Sequence, residues 1–140
     1  MPIVYLALGS NLGDRLEYIH KAVAELKACG LKAVKISSII ETDPVGGPSQ
    51  GKFLNAVFKA DSPYSPEELH VMTRSIERKL GRVKKAVNGP RVIDIDILLF
   101  DEVKLTTPGL LIPHPRMLER SFVMGPLKEL DPALCASLRP

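Results

Sequence analysis

The chain has 140 residues, 45% hydrophobic and 25% charged, with a formal net charge of +3. These values suit one globular domain over residues 1–140 with a full core, and they exclude a long disordered tail. Nucleic-acid binders usually concentrate more charge on one face, and no stretch approaches the roughly 18 apolar residues of a membrane span. A basic cleft for an anionic small molecule fits the charge equally well.

Residues 3–8 form a short apolar run that predicts a strand ending at Gly9-Ser10-Asn11. Asp14 is placed to cap a helix whose core face carries Leu16, Ile19, Val23 and Leu26, and Gly30 stops it. Residues 33–42 are rich in β-branched side chains and predict a second strand, followed by a Pro/Gly-rich loop over 43–52. Residues 53–60 predict a third strand. Ser65-Pro66-Glu67-Glu68 combines a cap, a proline at the first turn and a glutamate three residues after the cap, so it predicts a second helix. Its core face is Leu69, Met72, Ile76 and Leu80, and Gly81 ends it. A basic loop over 82–91 precedes a fourth strand at 92–100. A short strand near 103–106 is expected to pair with the end of that fourth strand. The remainder is Pro-rich, with one or two short helices. The order β-α-β-β-α-β matches the split βαβ, ferredoxin-like arrangement: an α+β fold with helices packed on an antiparallel sheet, here with a short C-terminal extension.

Cys29 and Cys135 suggest no framework of bridges, and the start of the chain lacks a secretory pattern. A reducing compartment, the cytoplasm, is the expectation.

The chemistry concentrates in Arg91-Val92-Ile93-Asp94-Ile95-Asp96. Alternation along a strand sends Ile93, Ile95 and Ile97 one way and Asp94 and Asp96 the other, the two carboxylates about 6–7 Å apart. That spacing suits one or two hard cations shared with phosphate oxygens. A solvated strand face is the alternative. Arg82, Lys84, Lys85 and Arg91 lie just upstream with Asn88-Gly89-Pro90 between them. Such a loop is either a plain basic surface or a lid for a polyphosphate, in which arginine makes bidentate contacts. Phe53 offers a ring for stacking and Asn55 a donor and acceptor for a heterocycle edge, although Phe53 also reads as core. His114 is fixed between Pro113 and Pro115. His20 and His70 lie in amphipathic helices and read as structural. No phosphate-binding loop of the G-x-x-x-x-G-K-[ST] type is present.

Six motifs in order resemble those of the 6-hydroxymethyl-7,8-dihydropterin pyrophosphokinases of folate biosynthesis. They are ALGSNLGDR at 7–15, ETDPVGG at 41–47, FLNAV at 53–57, IERKLGR at 76–82, GPRVIDIDILLF at 89–100 and IPHPRMLERSFVMGPL at 112–127. The resemblance implies a ferredoxin-like fold and transfer of the β,γ-pyrophosphoryl unit of ATP to the pterin hydroxymethyl oxygen, releasing AMP. It implies that Asp94 and Asp96 hold two Mg²⁺ ions and that Arg82 and Arg91 are the catalytic arginines. It places Thr42, Pro44, Val45, Phe53, Asn55 and Phe122 around a reduced pterin. It places Glu77, Lys85, Ile97, His114, Arg116 and Arg120 on the ATP side. ATP and the pterin are the expected partners, with no nucleic acid or membrane, and a monomer is expected. Three places depart from the family pattern. Val87 and Asn88, in the basic loop, stand where many members carry a basic residue and an aromatic; Arg74 replaces a polar residue common on the nucleotide side; and Arg116 stands where an aromatic often follows the His-containing motif. A non-catalytic ligand-binding module and a metal-dependent phosphodiesterase are the competing readings. The first predicts no Mg²⁺-dependent nucleotide binding, and the second predicts steeply salt-dependent binding of DNA or RNA.

Overall fold

The computed structural model describes residues 1–45, 49–83 and 89–138. Strand β1 (Ile3–Ser10) leads into helix α1 (Arg15–Ala28), capped by Asp14, whose carboxylate accepts from the Glu17 amide at 3.2 Å. Strands β2 (Lys32–Ile36) and β3 (Ile40–Thr42) precede the long strand β4 (Phe53–Asp61). Helix α2 (Pro66–Lys79) begins with the complete capping box expected at Ser65 and Glu68. Strand β5 (Asp94–Phe100) closes the main motif. Gly30 and Gly81 end the two helices at φ +105° and +100°, backbone that a side chain disfavours.

The main sheet runs β2-β4-β1-β5 with every pairing antiparallel, and β3 also pairs with β4. This is the sheet order of the expected β-α-β-β-α-β fold. Two local expectations are corrected. The single strand over 33–42 divides, because Ser37 leaves the ladder: its amide donates to the Val57 carbonyl at 2.9 Å and its hydroxyl accepts from the Val57 amide at 2.8 Å. The segment after β5 does not pair with β5. Strand β6 (Leu105–Thr107) and strand β7 (Leu110–Ile112) form their own hairpin. A single 3-10 turn at Met117–Glu119, helix α3 (Ser121–Leu130) and helix α4 (Pro132–Ser137) complete the chain.

One sheet face carries Leu6, Leu8, Phe58, Ile93, Ile95 and Ile97 against Ile19, Leu26, Leu69 and Ile76 of α1 and α2. Leu16, expected in that core, is 45% exposed, and Ala22 takes its place in the packed face. The opposite face packs Tyr5, Val57, Leu98 and Leu99 under Val123, Met124 and Leu127 of α3. The C-terminal segment therefore covers only one end of that face. Among the described residues no helix is long and apolar enough to cross a membrane. Cys29 and Cys135 are free thiols.

Candidate active site

The uncovered end of the second face is built by register. Asp94 lies across from Gly9, which lies across from Asn55; Asp96 lies across from Ala7, which lies across from Val57. Partners directly opposite in a ladder share a face. Asp94, Asp96 and Asn55 therefore look into one space, and the small residues Gly9 and Ala7 form its floor. A methyl group on Gly9 would stand 3.1 Å from Asn55 Oδ1, so a side chain there would need the Asn55 amide to give by a few tenths of an ångström.

That space is a cavity of about 700 Å³, including its open mouth. Its walls include Thr42, Val45, Phe53, Asn55, Arg91 and Phe122, with Asp94, Asp96, His114 and Arg120 at one end. Thr42 Oγ1 accepts from Asn55 Nδ2, which fixes the amide on the cavity wall. The Arg91 guanidinium sits 4.9 Å from the Phe53 ring centre and that of Arg120 5.5 Å from the Phe122 ring centre. Arg91 Nε is buried with no hydrogen-bond partner among the described residues, 3.6 Å from Asp94 Oδ2. A buried donor in that state is suited to receive an anion.

A second cavity of about 720 Å³, counted with its open mouth, adjoins the first. Ile97, His114, Arg74 and Asp96 line it together with His70, Thr107 and Leu110. Asp96 and His114 border both cavities. His114 is anchored there by its amide, which donates to the Leu98 carbonyl at 2.9 Å, and burial together with Arg120 pulls its pKa below the ordinary value. His70, read above as structural, thus borders a cavity, one it shares with Leu110 and Leu111 of β7.

The acidic pair is held by arginines. Strand β5 is an edge strand, so one side of it has free backbone groups. Glu77 from α2 fills that edge: its Oε2 accepts from the Ile95 amide at 2.7 Å and from Arg82 Nη1 at 2.8 Å. Arg82 Nη1 also donates to Asp94 Oδ1 at 2.8 Å. Arg74 Nη1 donates to Glu77 Oε1 at 2.8 Å, and Arg74 Nη2 reaches Asp96 Oδ1 and the Ile95 carbonyl at 3.3 Å. Burial and the adjacent Asp94 charge push the Asp96 carboxyl up to about 7, against the lowering effect of Arg74. Burial also raises Glu77, opposed chiefly by Arg74. Burial weighs against the Arg82 charge, and Asp94 and Glu77 more than offset it, leaving its pKa above the ordinary value.

A divalent cation suits this acid pair on chemical grounds. Two like charges side by side on one strand face favour a cation between them. Among the described residues no set of three or more His, Cys, Asp or Glu forms a full protein cage. Mg²⁺ is commonly held by one or two carboxylates plus phosphate oxygens, and the Asp94–Asp96 pair is a donor set of that chemical kind.

Similarity to known proteins agrees with this geometry. The family model for 7,8-dihydro-6-hydroxymethylpterin-pyrophosphokinase matches residues 5–132. The chain belongs to that family. It is a pyrophosphokinase, a transferase of folate biosynthesis. The 2-amino-4-hydroxy-6-hydroxymethyldihydropteridine pyrophosphokinase of Bacillus subtilis is 47% identical over 91% of this chain and 77% of its own length. The protein of the same name from Aquifex aeolicus is 43% identical over 94% of this chain and 82% of its own. A solved HPPK-DHPS chain from Plasmodium falciparum superposes with a TM-score of 0.70 at 17% identity, covering 94% of this chain and 40% of that one. That structure speaks to the fold alone.

Within this pyrophosphokinase, the site residues expected from sequence do not all converge. Thr42, Val45, Phe53, Asn55, Phe122, Arg91, Asp94, Asp96, His114 and Arg120 share the first cavity. Ile97 borders the second. Pro44 borders neither. Glu77 is 3% exposed with both oxygens engaged internally, so it positions the arginines and β5 instead of facing a ligand. Arg116 is exposed and borders neither cavity; its amide donates to His114 Nδ1 at 3.2 Å. Lys85, Val87 and Asn88 lie outside the described residues. Sequence reading missed Asn11. Its side chain accepts from the Arg91 amide at 2.9 Å and donates to Gln50 Oε1 and the Gly51 carbonyl, tying three segments together at the cavity rim. A small polar residue after a strand carries no local sign of such a role.

Proposed function

We propose that the chain draws its pyrophosphoryl group from ATP, with Mg²⁺, and delivers it to the hydroxymethyl oxygen of 6-hydroxymethyl-7,8-dihydropterin. The single observation that carries this reading is the shared border at Asp96 and His114 between an aromatic cavity and a second cavity. Two substrates in adjoining cavities meet at that border. The pterin occupies the first cavity, stacked between Phe53 and Phe122 with its edge on Asn55. The adenosine side of ATP occupies the second, along Ile97 and His114. Asp94 and Asp96 would hold Mg²⁺, and the chemistry it would supply there is neutralisation of the polyphosphate and orientation of the reacting phosphorus.

The chain's own residues then position and stabilise. Arg91 lies at the aromatic cavity beside Asp94, and Arg82 lies on its other side. Both can turn from carboxylate to phosphate as negative charge builds on the transferring group. The pterin oxygen bonds to the β-phosphorus, the bond from that phosphorus to the oxygen bridging to the α-phosphorus breaks, and AMP leaves with that oxygen. The hydroxyl proton passes to phosphate or solvent. No covalent enzyme intermediate is required, so in-line placement is the main requirement. A cytoplasmic setting suits the two free thiols.

Phosphorus NMR of a reaction with ATP, Mg²⁺ and the reduced pterin tests this. AMP and a pterin diphosphate in equal amounts are expected. Appearance of ADP, or turnover undiminished by a chelator, would overturn it.

A further inference from the structure

The three carboxylates of the site, Glu77, Asp94 and Asp96, are matched by three guanidinium groups, Arg74, Arg82 and Arg91. The cluster is therefore already charge-balanced before any metal arrives. Arg82 and Arg91 have roles in the reading above. Arg74 has none. It projects from α2, bridges Glu77 Oε1 at 2.8 Å and Asp96 Oδ1 at 3.3 Å, and borders the second cavity but not the first. Its side chain is 34% exposed, so it has room to leave.

We propose that Arg74 is a resident counter-cation on Asp96, which the divalent ion must displace, and that this makes metal entry depend on nucleotide. The proposal rests on the assignment of Asp96 as a metal carboxylate. A divalent ion binding alone meets a site whose negative charge is already matched, and it must expel a guanidinium into solvent. A nucleotide arriving in the second cavity brings its polyphosphate to the shared border at Asp96, where it offers Arg74 new acceptors and supplies the charge that balances the metal. Nucleotide and metal then favour one another through a shared side chain, which is a coupling between two sites. A merely structural role for Arg74 predicts the opposite sign. If Arg74 only held Asp96 and Glu77 in place, its loss would loosen the carboxylates and weaken the metal.

The test measures Mn²⁺ binding to the whole chain by the electron paramagnetic resonance of free Mn²⁺, with and without α,β-methylene-ATP. Without nucleotide, Arg74→Gln should bind Mn²⁺ about tenfold more tightly than wild type, within the usual range of coupling. The gain in Mn²⁺ affinity from the nucleotide analogue should shrink in the variant. Asp96→Asn identifies the site. If Mn²⁺ binds through Asp96 and Arg74→Gln leaves it unchanged or weaker, the counter-cation role is overturned while the metal reading stands. If Asp96→Asn leaves Mn²⁺ binding intact, the metal reading falls, and this proposal with it. Should Arg74→Gln fail to fold, the wild type suffices. Its Arg74 side-chain nitrogen resonances should shift toward free guanidinium values on Mg²⁺ and nucleotide binding. Their standing still while both ligands bind would overturn the proposal.

Discussion

Strands β1, β4 and β5 contribute to both faces of the five-stranded sheet, and the two faces do opposite things. On one, Leu6, Leu8, Ile93, Ile95 and Ile97 are buried under α1 and α2. On the other, β1 and β5 place Ala7, Gly9, Asp94 and Asp96 in an open cavity whose end is closed by α3. Moving one residue along β5 crosses from a close-packed core to an acid cluster held by arginines. The alternation of side chains thus lets one strand stabilise the fold and carry the chemistry at once. The acid face is also where local choices oppose stability, because two carboxylates face each other across a strand pleat and burial raises one of them.

Four substitutions can break or sharpen that comparison. The largest effect is expected at Asp96→Ala, which should lower kcat/KM on the order of 10³-fold or more, about 4 kcal/mol, with the fold retained. Steady-state kinetics beside a thermal melt checks it, and retained activity would remove Asp96 from the site. Its neighbour Ile95 is fully buried, and Ile95→Ala should cost roughly 2–5 kcal/mol of stability in urea unfolding. A small loss there would mean that the helix face is less packed than its burial indicates. Third, the Asp96 pKa is raised in the folded state from 3.8 to about 7, so the metal-free fold binds this proton better than the unfolded chain does. The sign follows: that contribution is complete below the unfolded value and is lost as pH rises through the folded one. Asp96→Asn should therefore melt above wild type near pH 8 without metal, by roughly 1–2 kcal/mol after allowance for solvent screening, and the gap should close toward about pH 4. A gap that widens on acidification would reverse the assignment. The smallest effect is expected far from either face: Ser65→Ala removes the α2 cap and should cost about 1 kcal/mol with kcat unchanged.

Much of this was readable locally. The capping box at Ser65, the Asp14 cap, the two helix-ending glycines and the alternation of Asp94 and Asp96 each depend on neighbours within a few residues, and each stands as expected. Leu16 misled because helical spacing alone cannot say where a helix face ends against the sheet; the packed stripe passes through Ile19, Ala22 and Leu26 instead. The strand over 33–42 misled because β-branched composition does not register a serine hydroxyl replacing a ladder bond at Val57.

The candidate site divides in the same way. Sequence by itself determined the strand carrying the acid pair, the arginines before it and the family motifs that link them to pyrophosphoryl transfer, because those are set by residue type and short spacing. Only the tertiary structure decided that Glu77 faces inward, that Arg74 reaches Asp96, that Asn11 ties Arg91 to Gly51, and that Asp96 stands where two cavities meet. Those relations join segments distant in the chain, and the placement of Glu77 follows from β5 being an edge strand whose free backbone groups α2 can satisfy.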